Sequence, residues 1–366
     1  MTTAAPSAPV WRGSGPAPAR LVEVEDGLAA DTALRWMSEG AGLVWQGDYH
    51  QAVQLLQALQ RRLAKKPQPP AKDLLDAFHQ GRKRQAEQAR LLSRLLLRFE
   101  AGHDLKLRRA PEAQAAAQAA LGDAPEPYLL PLREWLGMVG SWQWQQTGLA
   151  LPQLGGARLH AHYGVFAPTR HEYLDLVLQA PLPEALRQHP LAVDVGTGSG
   201  VLTALLARRG VRALLATDTS ERALACAAEN FARLGVQATL EQAALFGTAQ
   251  QAGLLVCNPP WLPGKVNTLL DAAVYDPDSA MLRGFLAGAA ARLAPGGEAW
   301  LIVSDLAERI GLRAADALGG WIAAAGLQVI ARLDATPRHR RARDADDPLH
   351  AARAAEVVSL WRLQRA

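Results

Sequence analysis

A glycine-rich turn and an acidic residue that follows it are the first features with a spacing suited to ligand binding. The segment Val193–Leu202 joins a β-rich run to a helical one and contains Asp194, Gly196, Thr197, Gly198 and Gly200. Glycine lets a backbone turn sharply and approach a ligand closely at the carboxyl end of a strand. Asp218 ends the next β-rich run, about 20 residues on, where a carboxylate can accept both ribose hydroxyls. Dinucleotide folds prefer Gly-x-Gly-x-x-Gly, so a nicotinamide cofactor is the lesser alternative here.

A second feature, Asn258-Pro259-Pro260-Trp261, directly follows the β-rich run that ends at Cys257. An amide or exocyclic amine nitrogen is a poor nucleophile because its lone pair is delocalised. The Asn258 side-chain oxygen and the Pro259 carbonyl can accept its two hydrogens and stabilise the positive charge that develops on it. Pro260 stiffens the turn, and Trp261 offers a flat face for a base or an amide. The motif predicts transfer of a group to a planar nitrogen.

Together, the two motifs resemble those of class I S-adenosylmethionine-dependent methyltransferases with an Asn-Pro-Pro-aromatic motif, over about residues 160–366. That group includes glutamine N5-methyltransferases of release factors and ribosomal RNA guanine-N2 and adenine-N6 methyltransferases. The resemblance implies S-adenosylmethionine as cofactor and a Rossmann-like seven-stranded methyltransferase sheet. It implies catalytic roles for Asn258, Pro259, Pro260 and Trp261, and a cofactor contact for Asn258. Most relatives have Tyr or Phe where this chain has Trp261.

The cofactor itself explains why an acid near the loop is expected. S-adenosylmethionine carries an ammonium and a sulfonium instead of phosphates, which suits Asp194. By the same resemblance, the segment Tyr163–Tyr173 closes over the cofactor, so Phe166 is expected to form a wall of the pocket. Relatives often place an acidic or amide residue against the adenine where this chain has Ala244. We therefore expect either that Gln242 or a backbone group replaces it, or that cofactor affinity is weaker than in those relatives.

The elements that must position these residues are predicted from residue 180 onwards. Short β-rich runs alternate with helical stretches, which indicates a mostly parallel α/β sheet covered on both faces. The predicted strands are Leu191–Val195, Ala213–Asp218, Val236–Glu241, Gly253–Asn258, Glu298–Ser304, Leu327–Leu333 and Glu356–Leu363. The last two have no predicted helix between them, which indicates a final antiparallel hairpin. We assign a methyltransferase domain to residues 151–366.

Residues 1–150 differ from the rest of the chain in composition and in hydrophobic periodicity. Residues 1–20 are rich in Pro, Ala and Gly and are predicted to be a disordered tail. Residues 21–150 show helical periodicity and predict a helical N-terminal domain for substrate recognition. One helix is expected over residues 72–99, with Arg90, Arg94 and Arg98 on a face that is either solvated or binds RNA phosphates. Trp142 and Trp144 are expected to pack against the second domain or to stack on bases.

Composition excludes several classes of protein. The 366 residues are 49% hydrophobic and contain neither a signal-like segment nor an apolar run long enough to span a membrane, so we expect a cytoplasmic protein. The two cysteines, Cys226 and Cys257, are predicted to be buried and reduced, which excludes a multi-thiolate zinc site. His160, His162 and His171 lack metal-site spacing, so we expect no metal. The net charge of +4 permits an RNA partner without requiring one.

These features predict an N-methyltransferase that acts on a planar amine or amide nitrogen of RNA or protein. A helical N-terminal domain also occurs in the release-factor enzymes, which favours a protein glutamine. The predicted basic helix, the tryptophans and the arginines at positions 338, 340, 341 and 343 favour an RNA base slightly more. A small-molecule N-methyltransferase is a further hypothesis. A catalytically inactive RNA-binding or assembly module is another, and the intact motifs argue against it.

Overall fold

The computed structural model describes residues 9–67, 69–266, 268, 270–337 and 344–366. The chain divides into two units, one formed by Met1–Ala71 with His79–Gln143 and the other by Lys72–Phe78 with Trp144–Ala366. Among the described helices, none has both the length and the apolar character needed to cross a membrane. The arginines at 338, 340, 341 and 343 lie outside the described residues.

A five-stranded sheet forms the centre of the first unit, with the strand order β1-β5-β4-β3-β2. β2, β3 and β4 run parallel, and β5 runs antiparallel to β4. The strands are β1 (Val10–Trp11), β2 (Arg20–Val24), β3 (Ala41–Trp45), β4 (Leu95–Phe99) and β5 (Tyr128–Pro131). The helices up to residue 147 are α1 (Ala30–Ser38), α2 (Tyr49–Ala64), α3 (Leu74–Leu92), α4 (Gln114–Leu121) and α5 (Leu132–Thr147).

The prediction of a purely helical N-terminal region is therefore wrong, and so is the predicted disorder for residues 9–20. Residues 1–8 lie outside the described part of the chain. The physical reason is burial: β3 and β5 are buried along their whole length. A short, continuously apolar run shows no alternation, so its periodicity does not distinguish a strand from a buried helix.

The predicted helix over residues 72–99 is wrong for the same reason. α3 ends at Leu92, and the leucines that continue its apparent apolar face belong to the buried strand β4. Arg94 and Arg98 consequently lie off the helix, and Arg98 pairs with Glu100 at 3.1 Å. The basic helical face that favoured an RNA partner does not form.

The second unit contains a two-stranded ladder, β6 (Leu149–Ala150) with β7 (Arg158–Leu159), and a seven-stranded sheet. The sheet order is β10-β9-β8-β11-β12-β14-β13. Its strands are β8 (Leu191–Val195), β9 (Ala213–Asp218), β10 (Thr239–Gln242), β11 (Ala252–Cys257), β12 (Leu293–Ser304), β13 (Leu327–Ala335) and β14 (Val358–Arg365). The helices are α6 (Glu172–Gln179), α7 (Val201–Arg208), α8 (Glu221–Leu234), α9 (Ala280–Arg292), α10 (Leu306–Arg309), α11 (Ala317–Ala324) and α12 (His350–Ala354).

Strand direction confirms the predicted fold class. β8 to β12 are parallel, while β14 runs antiparallel to both β12 and β13. This order and these directions are those of the Rossmann-like methyltransferase fold, and all seven predicted strands are present. The final antiparallel pair is confirmed, although the short helix α12 lies between its strands where none was predicted.

The sheet separates two hydrophobic clusters. Along β11, Leu254 and Val256 belong to one cluster, whereas Leu255 and Cys257 belong to the other. Side chains alternate between the faces of a strand, and both faces of this sheet are covered, so the central strands are apolar throughout. The carboxyl ends of β8, β9 and β11 therefore meet at one edge, where the polar and glycine-rich residues follow them.

Candidate functional site

A cavity of about 770 Å³ lies at this edge of the second unit. β8 has β9 on one side and β11 on the other, so the strand order reverses beside β8. Ligands of open α/β sheets bind at such switch points, and roughly 300–1,000 Å³ is the usual size of a small-molecule site. Residues following β8, β9, β10 and β11 all line the cavity, together with residues 164–166, Arg170 and Tyr173.

The glycines after β8 have the conformation that their type suggested. Gly196, Gly198 and Gly200 have φ angles of 73°, 54° and 82°, which side-chain-bearing residues rarely adopt. A Cβ atom on Gly196 would lie 2.4 Å from Met281 Cε, and one on Gly200 would lie 2.5 Å from Phe231 Cε1. Gly198 lines the cavity with no atom within 4 Å of its Cβ position. At Gly196 and Gly198 the loop thus exposes backbone atoms, with no side chain, to the cavity.

Asp194 is buried behind this loop. Its Oδ2 accepts hydrogen bonds from the Thr197 hydroxyl at 2.7 Å and from the Thr203 amide and hydroxyl at 3.1 and 2.8 Å. Burial raises the pKa of Asp194 to about 6, despite these hydrogen bonds. Asp194 is not among the described residues that line the cavity. The structure thus shows it ordering the loop and the start of α7, and its contact with a cofactor stays a prediction.

Asp218 ends β9 and lines the cavity. Its Oδ2 accepts the backbone N–H of Gly198 at 3.0 Å, and its Oδ1 accepts that of Ser220 at 2.9 Å. A carboxylate has about four acceptor positions, so both oxygens still have lone pairs for the hydroxyls of a ribose. This geometry agrees with the predicted role.

The side of the cavity next to β10 differs from that of relatives with an acidic or amide side chain. Ala243, Ala244 and Leu245 line it. The side chain of Gln242 donates to the Thr219 carbonyl at 3.3 Å, and Gln242 is not among the described lining residues. Of the two expected substitutes for an adenine contact, the backbone of residues 243–245 is therefore the one at the cavity. Phe166 also lines the cavity, and its contact with a cofactor stays a prediction.

The Asn258 carboxamide follows β11 directly and lines the cavity with Pro259, Pro260 and Trp261. The Trp261 Nε1–H donates a hydrogen bond of 2.9 Å to Asn258 Oδ1. Tyr173 lines the cavity as well, and desolvation raises the pKa of this buried residue. The indole thus holds the carboxamide through its oxygen atom.

Arg170 covers the indole of Trp261, with its Cζ 5.0 Å from the ring centroid. Its Nη2 donates to Glu356 Oε1 at 3.0 Å, and Glu356 is fully buried and also accepts from the Ser304 hydroxyl. Arg170 Nε lies 3.4 Å from Oε1 of the buried Glu172. The guanidinium is therefore paired with a buried carboxylate while it lies against the aromatic ring.

Backbone hydrogen bonds join Leu262, which follows Trp261, to Val274 and Asp276. The Leu262 N–H donates to the Val274 carbonyl at 3.1 Å, and the Asp276 N–H donates to the Leu262 carbonyl at 2.9 Å. Asp276 is buried, and its carboxylate accepts the amides of Met281 and Leu282 at the start of α9. Residues 272–274 line the same cavity, and so do Leu306 and Arg353.

The structure brings most predicted site residues into one cavity, whereas Asp194 and Gly200 are not among the described residues that line it. Sequence reasoning missed Arg170, Tyr173 and Arg353, all of which line the cavity. Arg170 and Tyr173 lie in the segment predicted to close over the cofactor, which was the available signal. Arg353 sits on α12, the helix that was not predicted. Among the described residues, no group of three or more His, Cys, Asp or Glu could hold a metal ion.

Comparison with known proteins adds the following findings. Residues 156–310 match a family model described as "Methyltransferase small domain". The chain is similar to the release factor glutamine methyltransferase of Cereibacter sphaeroides, with 34% identity over 163 residues that cover 40% of this chain and 56% of that protein. It is also similar to ribosomal RNA small subunit methyltransferase C of Alcanivorax borkumensis, with 31% identity over 143 residues that cover 38% and 41% of the two chains.

Among solved structures, the ribosomal protein L11 methylase of Lactobacillus delbrueckii subsp. bulgaricus aligns with a TM-score of 0.37 and 16% identity. That alignment covers 57% of this chain and 86% of the methylase. The chain spans about half the length of the curated relatives that it matches.

Proposed function

We propose that this chain, whose residues 156–310 carry a methyltransferase small domain, is an S-adenosylmethionine-dependent N-methyltransferase for a planar nitrogen of a macromolecule. One observation carries the proposal. The Asn258 carboxamide lines the same cavity as the glycine loop and Asp218, so a nitrogen acceptor and a nucleoside cofactor can meet there.

The residues at one end of the cavity fit S-adenosylmethionine. The Gly198 position offers open space next to bare backbone, and Asp218 has acceptor capacity for ribose hydroxyls. The backbone of residues 243–245 would face the adenine, and Phe166 would cover the cofactor. When bound, S-adenosylmethionine supplies an activated methyl group to a nucleophile.

At the other end, Asn258 and Pro259 would hold the acceptor. Trp261 uses one lone pair of Asn258 Oδ1, and the second can accept an N–H of the acceptor. The Pro259 carbonyl would accept the other N–H. Both acceptors stabilise positive charge that develops on the nitrogen, because they bind the charged form more strongly than the neutral one. The proton that the nitrogen loses can pass to solvent, so the proposal requires no general base.

We propose a protein glutamine amide as the first candidate acceptor. One sequence feature that favoured RNA is absent: Arg90, Arg94 and Arg98 do not share a helical face, because α3 ends at Leu92. Of the tryptophans, Trp45 and Trp135 are fully buried in the first unit, whereas Trp144 is 50% exposed and can still stack on a base. In addition, Arg170 covers one face of Trp261. A flipped base needs more of the ring surface for stacking than an amide does, so the remaining surface suits an amide better.

An RNA base is the second candidate acceptor. Arg170 and Arg353 line the acceptor end of the cavity, where the described lining residues include no carboxylate apart from Asp218 at the cofactor end. Guanidinium groups suit the phosphates that flank a base. The first unit is proposed to recognise the substrate in either case. We also propose a cytoplasmic location, which the two free and buried cysteines support.

The test uses methyl-tritiated S-adenosylmethionine, the full-length protein and an extract of cells that lack the gene. Labelled material is divided and treated with protease or with nuclease. Label released by protease alone supports a glutamine acceptor, and label released by nuclease alone supports an RNA base. If the protein binds the cofactor but labels neither fraction, a macromolecular acceptor is wrong and a small-molecule acceptor takes its place.

A further inference from the structure

The hydrogen bond between Trp261 and Asn258 defines which way the carboxamide points. The indole Nε1–H can only donate, and it lies 2.9 Å from Asn258 Oδ1. If the carboxamide were turned over, its NH2 group would face the indole N–H and two donors would oppose each other. The tryptophan therefore selects the orientation in which Oδ1 is the acceptor on this side. A phenylalanine ring at the same position has no hydrogen to donate.

Two residues outside the Asn258–Trp261 motif, Arg170 and Glu356, hold the indole of Trp261 in place. Arg170 lies over the ring at 5.0 Å, and its Nη2 donates to Glu356 Oε1 at 3.0 Å. Glu356 is fully buried and lies two residues before β14, the last strand. The Arg170 guanidinium has little freedom to leave the aromatic face, because its departure would leave the buried Glu356 carboxylate without its charged partner.

Together these contacts form a chain from Glu356 through Arg170 and Trp261 to Asn258. Each member touches the next through a directional contact, and Asn258 is the member that faces the acceptor nitrogen in the proposed function. Arg170 also belongs to the segment expected to close over the cofactor. The chain of contacts consequently connects that segment to the residue that holds the acceptor.

From this geometry we propose that Trp261 and Arg170 are positioning residues, which set the orientation of the Asn258 carboxamide for methyl transfer. The inference rests on the proposed function and assigns Trp261 a role besides stacking. With Oδ1 held by the indole, one lone pair of that oxygen points to a fixed place in the cavity. An acceptor must present an N–H there, which selects for a planar amide or amine that enters in one orientation.

The first test measures methyl transfer by full-length variants. The acceptor is the fraction, protein or RNA, that the labelling test identifies. Trp261→Phe keeps an aromatic ring and removes the donor, and Arg170→Gln removes the stacked charge. We expect each to lower the apparent kcat by about 10- to 100-fold, with the acceptor KM and the cofactor Kd changed less than threefold. The double variant should be no slower than the slower single variant, because both act through the same carboxamide.

Matched controls come from another pair in the same unit. Arg332 lies over the Trp361 ring at 4.7 Å, away from the cavity. Trp361→Phe and Arg332→Gln repeat the two substitutions there and should leave kcat within twofold. A wild-type kcat for Trp261→Phe would overturn the positioning role of the indole. Losses that multiply in the double variant would overturn the role of Arg170 through Trp261.

The second test requires no acceptor and therefore separates this inference from the proposed function. The indole ¹H–¹⁵N resonance of Trp261 is identified in the wild-type protein as the signal that Trp261→Phe or Trp261→Tyr removes. We expect that signal to shift upfield and to exchange faster with solvent in Asn258→Ala, and to shift in Arg170→Gln. An unchanged signal in both variants would show that the contact chain is absent. If the signal responds as expected while no fraction is methylated, the proposed function fails and the contact chain stands.

Discussion

The backbone N–H of Gly198 donates a hydrogen bond of 3.0 Å to Oδ2 of Asp218, so the glycine loop after β8 is tied to the acid that ends β9. The same carboxylate accepts the Ser220 amide at 2.9 Å. A residue predicted to bind the ribose thus also shapes the loop in front of it. Cofactor affinity and loop geometry should respond together when Asp218 is changed.

Asp218→Ala should weaken the binding of S-adenosylmethionine by roughly ten- to a hundredfold. Hydrogen bonds to a charged group contribute about 1.5–3 kcal/mol to binding. The same variant also removes the hydrogen bond between Asp218 and the Gly198 N–H in the loop. Isothermal titration calorimetry gives the Kd. Glu184→Ala, which removes an exposed carboxylate from a surface ion pair, is the control and should bind normally. Unchanged affinity in Asp218→Ala would contradict the assigned ribose contact.

Gly200→Ala should lower the free energy of unfolding by about 1–3 kcal/mol. The residue has a φ of 82°, and its new Cβ would lie 2.5 Å from Phe231 Cε1. Urea denaturation measures the change. Gly319→Ala in α11 is the matched control, because no atom lies within 4 Å of its Cβ position and alanine favours a helix by about 1 kcal/mol. Equal effects of the two substitutions would argue against strain at Gly200.

Asp194→Asn should change how stability depends on pH. Burial raises the pKa of Asp194 from 3.8 to about 6 in the folded protein, so its protonation stabilises the fold. This contribution is fully present below pH 3.8 and is lost as the pH rises through about 6. Relative to Asp194→Asn, the wild-type protein should lose about 2 kcal/mol of unfolding free energy between pH 4 and pH 7. Denaturation curves at several pH values measure this difference, and a constant offset would refute the prediction.

Asn258→Ala should lower kcat by about 100- to 1,000-fold and leave cofactor affinity unchanged. The side-chain oxygen is proposed to stabilise charge that develops only in the transition state, and one such group typically contributes this much. Label transfer and calorimetry are measured on the same preparation. Gln328→Ala, which removes an exposed amide on β13, should keep wild-type turnover. A fully active Asn258→Ala would exclude the proposed role and favour a binding module.

Much of the catalytic sheet was predictable because its signals are local. β8, β9 and β11 end within a residue of their predicted ends, since each is an apolar run followed directly by glycine, aspartate or asparagine. In parallel strands, successive ends meet at one edge, so their spacing along the chain already indicated a shared site. The five-stranded sheet of the first unit was not predictable in this way. Its strands β3 and β5 are buried along their whole length and show no polar–apolar alternation.

The sequence by itself determined the residue types and their places at the ends of strands, because a backbone turn and a strand end depend on neighbouring residues. Only the tertiary structure decided that Asp194 lies behind the loop and that Trp261 donates to Asn258. It alone placed Arg170 against Glu356, a residue 186 positions away. Burial and the direction of a hydrogen bond depend on atoms from distant segments, and no local pattern in the chain specifies which segments those are.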